Sequence, residues 1–197
     1  VDSITYNPTL SEINLHLPYS NTVLHITRTG TAITLVNPSF LERGTTIRLF
    51  NEILLLLTKP SLDFAFRNQK TGQLKEEFIF VVDNGPAEEP SSPLVQMLLV
   101  RLQKLLNFNR IVQMSFAEYH SKRNFVKRVH ATADKLLSCH GPFSSNEVHK
   151  DCNIQPCSKQ HVENIEKMTE NVINCLRQRR YDGKSLEVFR GVKNEWF

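Results

Sequence analysis

Asp83 closes an almost uninterrupted apolar run, Phe78 to Val82, and is followed at once by Asn84, Gly85 and Pro86. The carboxyl end of a buried strand is where an open sheet presents ligand and metal chemistry. A carboxylate there supplies the anionic oxygen that hard divalent ions require. By spacing alone the blander reading also holds, since Asp, Asn and Gly together make a good turn. A second set of chemically able residues is His149, Cys152, Cys157 and His161, with two, four and three residues between successive members. Zinc sites use these ligand types at such spacings. Two cysteines in one loop are only half of the usual pair of knuckles, so a loose polar loop is the default expectation. The third set is basic. Lys122, Arg123, Lys127, Arg128 and Lys135 face one acid, Asp134, and Arg177, Arg179 and Arg180 end the last expected helix. A localised basic face is the electrostatic footprint of a phosphate-backbone binder; the alternative is a solvated helix face.

These residues need elements to position them. Leu10 to Leu17 alternates apolar and polar residues between Pro8 and Pro18 and reads as a strand. Thr22 to Thr27 and Ala32 to Val36 read as two more, separated by a turn at Gly30 and ended by Asn37 and Pro38. Gly44 to Thr46 opens a helix capped by Thr45 or Thr46. Its apolar stripe runs through Ile47, Phe50, Ile53, Leu54 and Leu57 to a stop at Pro60. Residues 61–75 form a polar connection. Glu77 to Asp83 is expected to be a central strand buried on both faces. Helices follow at Leu94 to Leu106, Arg123 to Ser138 and Lys159 to Arg180, with a strand at Arg110 to Phe116. The stripe of the last helix, Val162 to Leu176, is expected to pack on the core. A meander followed by alternating strands and helices predicts an α/β (α+β) chain, a mixed sheet with helices on both faces. Residues 1–140 would form the core, and 141–197 a loop and helical extension packed on it.

The element order, the Asp83-Asn84-Gly85 strand end and the segment from Tyr119 to His130 resemble the catalytic core of DDE-type transposases, within the RNase H-like superfamily that includes retroviral integrases. The resemblance spans roughly residues 2–145. The stretches from Tyr119 to Asn124 and from His140 to Ser145 look more like transposase-derived host proteins than a mobile enzyme. The resemblance implies three carboxylates holding two Mg²⁺ or Mn²⁺ ions about 3.5–4 Å apart, which activate the attacking oxygen and steady the leaving one. Asp83 falls on the second acid of that set. The third belongs one turn into the last core helix, and Asn124, Phe125 and Val126 match its opening, but Lys127 stands where the glutamate should be. Asp2 is the candidate for the first acid. Glu118, separated from Asp83 by 34 residues, is a weaker substitute for the third because it precedes the helix. His120 and His130 could also face the site, though such histidines are more often surface or packing groups.

An ammonium at the third-acid position repels a divalent ion and could instead pair with Asp83, worth roughly 1 kcal/mol if exposed. The implied domain is therefore inactive, with no cofactor expected and Asp83 the only metal ligand if any. It would keep non-specific DNA contacts through Lys122, Arg123, Arg128 and Lys135. The alternatives are an active metal-dependent strand transferase within a longer chain, and a protein-interaction scaffold, with a homodimer allowed. Because the sequence begins at Val1, it reads as a fragment whose first strand is cut short.

Bulk properties narrow the field less. The chain of 197 residues is long enough for one good-sized core, and 22% charged residues is ordinary for a globular protein. No run approaches the roughly 18 apolar residues of a membrane span. The net charge of +4 does not by itself imply nucleic acid. The four cysteines, without a secretory signal, read as free thiols in a reducing compartment. The localisation this predicts is intracellular, and nuclear if DNA is bound.

Overall fold

A computed structural model describes residues 19–26, 30–38, 45–82, 89–116, 125–151 and 153–193. The chain divides into two compact units, Val1–Gly44 with Val126–Lys193, and Thr45–Phe125 with Asn194–Phe197. The boundary expected near residue 140 falls inside the first unit.

In the first unit, β1 (Tyr19–Ile26) and β2 (Thr31–Pro38) pair antiparallel, with Ile26 opposite Thr31. Gly30 closes this hairpin with a φ of +67°, a left-handed conformation that glycine adopts without penalty, and its N–H donates to the Ile26 carbonyl at 2.8 Å. Two helices belong to this unit, α4 (Phe125–His140) and α5 (Lys159–Arg177). Val129, Ala133 and Leu137 of α4 recur at one-turn spacing, as do Ile165, Met168, Val172 and Leu176 of α5. The α4 residues, with Met168, Val172 and Leu176, join Ala32 and Val36 in one core. Ser158 caps α5, its hydroxyl accepting from the His161 N–H at 3.2 Å.

The last helix stops at Arg177, short of the expected Arg180, and the chain turns into three strands where the sequence predicts helical extension. These are β5 (Arg180–Tyr181), β6 (Lys184–Ser185) and β7 (Glu187–Arg190). β7 pairs parallel with β2, Ile33 opposite Glu187, giving the order β1-β2-β7. Arg190 fastens this addition. Its guanidinium donates to Glu166 on α5 at 3.0 and 3.2 Å and to the Val36 carbonyl at 3.4 Å.

The second unit holds α1 (Thr46–Leu57), the single turn α2 (Asp63–Phe66), β3 (Glu77–Val82), α3 (Pro93–Leu106) and β4 (Arg110–Ser115). The Thr45 hydroxyl accepts from the Arg48 N–H at 3.1 Å, so Thr45 is the cap. Pro93 starts α3, where its missing N–H costs nothing, and Asn107 ends it at a φ of +53°. Phe50 and Ile53 of α1 pack with Leu98 and Leu102 of α3 and with Phe108. Phe78 stacks on Phe108 at 4.3 Å between ring centres.

Two expectations need correcting. β3 pairs parallel with β4, but only one of its faces is covered: Phe78 and Phe80 pack on the helices, whereas Ile79 is 62% and Val81 50% exposed. The strand buried on both faces is β2, where Ala32, Ile33, Leu35 and Val36 are all buried. A continuous apolar run shows that a strand can be buried, and coverage then depends on what the rest of the chain places over each face. The second correction concerns the sheet. The class is α+β, as expected, but the described strands lie in three separate sheets instead of one. The strand expected at Leu10 to Leu17, which would extend the meander, lies outside the described residues.

Candidate nucleic-acid interface

The basic helix expected at Arg123 to Ser138 is present as α4, Phe125–His140. Val129, Ala133 and Leu137 turn α4's apolar side into the first unit's core, so Lys127, Arg128, Asp134 and Lys135 face solvent. The helix is internally well satisfied. Thr132 donates to the Arg128 carbonyl at 2.9 Å, and Ser138 to the Asp134 carbonyl at 2.8 Å. At its end the His140 ring stacks on Phe143 at 4.2 Å, and Phe143 is buried in the same core. Of the five basic residues that the sequence clusters here, Lys127, Arg128 and Lys135 are described; Lys122 and Arg123 are not.

Lys127 lies in the first turn of α4 and is exposed. Asp83, Glu118, Asp2 and His120 lie outside the described residues, and so does the expected pairing of Asp83 with Lys127. The described part of the acidic strand ends at Val82, and β3 and α4 belong to different units. His130 is half-buried on α4.

The zinc constellation does not assemble among the described residues, where no three His, Cys, Asp or Glu side chains are placed to hold an ion. Cys152 lies outside them. His149 Nε2 is 2.5 Å from a Glu163 carboxylate oxygen, and His161 Nδ1 accepts the Cys157 N–H at 2.9 Å. That acceptance fixes the His161 tautomer with its proton on Nε2. The contact with His149 is the main cause holding the Glu163 carboxyl below its usual range, with Lys159 adding to it.

Nor is the loop loose, as a polar linker would be. The buried Asn164 accepts from the Val148 and His149 N–H groups at 3.0 and 2.8 Å and donates to the His149 carbonyl at 3.0 Å. One amide side chain thus satisfies three backbone groups of a segment that has no strand or helix to pair them.

The second basic cluster is split by the structure. Arg177 is engaged by the fold though exposed: its guanidinium donates twice to the Val188 carbonyl, at 3.1 and 2.8 Å. Arg179 and Arg180 stay exposed; a hairpin turn follows them, in which Lys184 pairs with Tyr181. The sequence reading missed this hairpin; the Asp182-Gly183 pair is the signal that could find it.

Comparison with protein-family models, with curated proteins and with solved structures finds no match for this chain. Among the described residues no helix is long and apolar enough to cross a membrane.

Proposed function

We propose that this chain is a transposase-derived domain of RNase H-like ancestry, catalytically inactive, that binds DNA without sequence preference through the outward face of α4. The observation that carries the reading is the placement of Lys127, Arg128 and Lys135 on the solvent side of a helix whose other side is locked in a core. Cations presented this way contact phosphates and confer affinity with little sequence information. An exposed ammonium at Lys127 stands where the resemblance calls for a metal-binding carboxylate, and a cation there favours a phosphate over a divalent ion. This supports binding over strand transfer. Mg²⁺ or Mn²⁺ would matter only if an acid set were completed elsewhere in the chain.

The test is fluorescence anisotropy with a short labelled duplex over a salt series, wild type beside a Lys127→Ala/Arg128→Ala/Lys135→Ala variant. The wild type should bind with a steep salt dependence. The variant should bind more weakly, its slope of log affinity against log salt reduced by about 0.9 for each phosphate that is no longer neutralised. A protein-interaction scaffold is the second reading. It is favoured by the apolar residues that the second unit leaves exposed, Ile79, Val81 and Met114 on the sheet and Met97 and Leu105 on α3. It does not run through α5, whose apolar stripe is buried. Absence of duplex binding at low salt would move the weight to it.

A further inference from the structure

Most cations of the described residues are already engaged by the fold: Arg67 with Asp63, Lys167 with Glu170, Arg190 and Lys193 with Glu166, Arg177 with a backbone carbonyl. Arg179 and Arg180 belong to the smaller group without such a partner, and they are the pair of neighbours in it. They are adjacent and exposed, and among the described residues neither guanidinium has a carboxylate partner. Their backbone is nevertheless fixed. The Arg179 N–H donates to the Leu176 carbonyl at 3.3 Å, and the Arg179 carbonyl accepts the Leu186 N–H at 3.2 Å. Arg180 pairs with Ser185 in the hairpin β5–β6, whose turn residues Asp182 and Gly183 both have positive φ, +49° and +76°. Two left-handed residues in a two-residue loop make the tight turn that matches strand twist. Tyr181, half-buried, packs the hairpin onto the core that also holds Leu186 and the inner face of α4.

We propose that this hairpin is a second phosphate-contacting surface, with Arg179 and Arg180 as its ligands, so that a nucleic-acid backbone held by α4 gains further contacts on the same compact unit. The inference rests on the DNA-binding reading of α4 and extends it. Guanidinium groups suit the task because their planar fork donates two parallel hydrogen bonds to a phosphate. With Asp182 as the sole acid between residues 177 and 186, the hairpin keeps a positive balance. Nucleic acid is favoured over a lipid surface because no large apolar side chain between residues 177 and 193 is exposed to enter a bilayer. It is favoured over a single phosphorylated side chain because two cationic surfaces fixed to one core match a ligand that repeats its charge.

The experiment adds two variants of the full chain to the salt series: Arg179→Gln/Arg180→Gln, and Asp182→Asn, which removes the acid but tolerates the left-handed turn. Thermal melts confirm that both fold. The double variant should lose about tenfold or more in affinity at low salt, with its salt slope lowered by about 1–2, and the asparagine variant should bind more tightly than wild type. A wild type that binds, with α4 substitutions weakening it but affinity and slope unchanged in Arg179→Gln/Arg180→Gln, overturns the hairpin while leaving the α4 reading intact. A wild type that binds no duplex overturns both.

Discussion

Arg190 shows how much one side chain can organise. Its guanidinium ties α5, the end of β2 and β7 together, and it does so through Glu166, whose carboxylate also meets Lys193 at 3.3 Å. Burial pushes the Glu166 carboxyl up, but the hydrogen bonds and charge of Arg190, with those of Lys193, outweigh it and hold the group below the usual carboxylate range. A carboxyl depressed by folding stabilises the protein above its unfolded pKa, and that stabilisation is lost as pH falls through the folded value. Glu166→Gln should therefore lower stability at neutral pH by about 1–3 kcal/mol, since it removes one partner of a partly buried pair. Urea midpoints compared with wild type should show the gap closing below about pH 4. A gap of constant size from pH 7 to pH 3 would mean that the ion pair does not contribute. Little of this is visible in the sequence. Arg190 and Glu166 are 24 residues apart, and nothing in their local spacing joins them.

At the scale of elements, the helices were legible and the last strands were not. α1 and α5 each carry an apolar stripe that can face only one way, and of the two threonines that could cap α1 it is Thr45 that does. β7 is four residues long, too short for period-two alternation to stand out, and its existence depends on pairing with β2. That pairing needs close backbone approach at Gly191. A Cβ there would lie 2.0 Å from the Asn37 side-chain oxygen, and Asn37 is itself buried. Gly191→Ala should thus force Asn37 aside and lower stability by roughly 1–3 kcal/mol, the usual cost of overpacking. Gly72→Ala, whose Cβ would meet nothing within 4 Å, carries only the strain of its φ of +70°. If thermal melts of the two variants coincide, the close packing of β2 and β7 is not what holds this region. β3 teaches the converse: its run of apolar residues is plain in the sequence, but its one-sided exposure follows from which helices cover it.

For the molecule as a whole, the chain order and the spatial order diverge. The first unit is assembled from two segments with residues 45–125 of the second unit between them in the chain, and its hydrogen bond from Arg190 to Val36 spans 154 residues. Contacts of that range form late and carry a loop-closure cost that local helices escape. Native-state hydrogen exchange should then show two groups of amides. Those of β2 (Ile33 to Val36) and α5 should open together, and those of β3 and α3 should form a second group with its own opening free energy. A single common opening energy across both sets would show that the units unfold as one. The candidate site was legible to the same extent as the fold. The run of basic residues on the α4 helix was legible in the sequence; which side of that helix is buried is given by the core that Val129, Ala133 and Leu137 join. The separation of Arg177 from Arg179 and Arg180 was not legible, because a single turn of helix and a hairpin decide which guanidinium meets a carbonyl and which meets water. By itself, the sequence determined the helices, the cap, the α+β class and the sign of the charge on α4, since each rests on interactions within a few residues. Only the tertiary structure decided which strand is central, where the C-terminal strand docks and which cations remain available, since those depend on partners that the chain brings together from far apart.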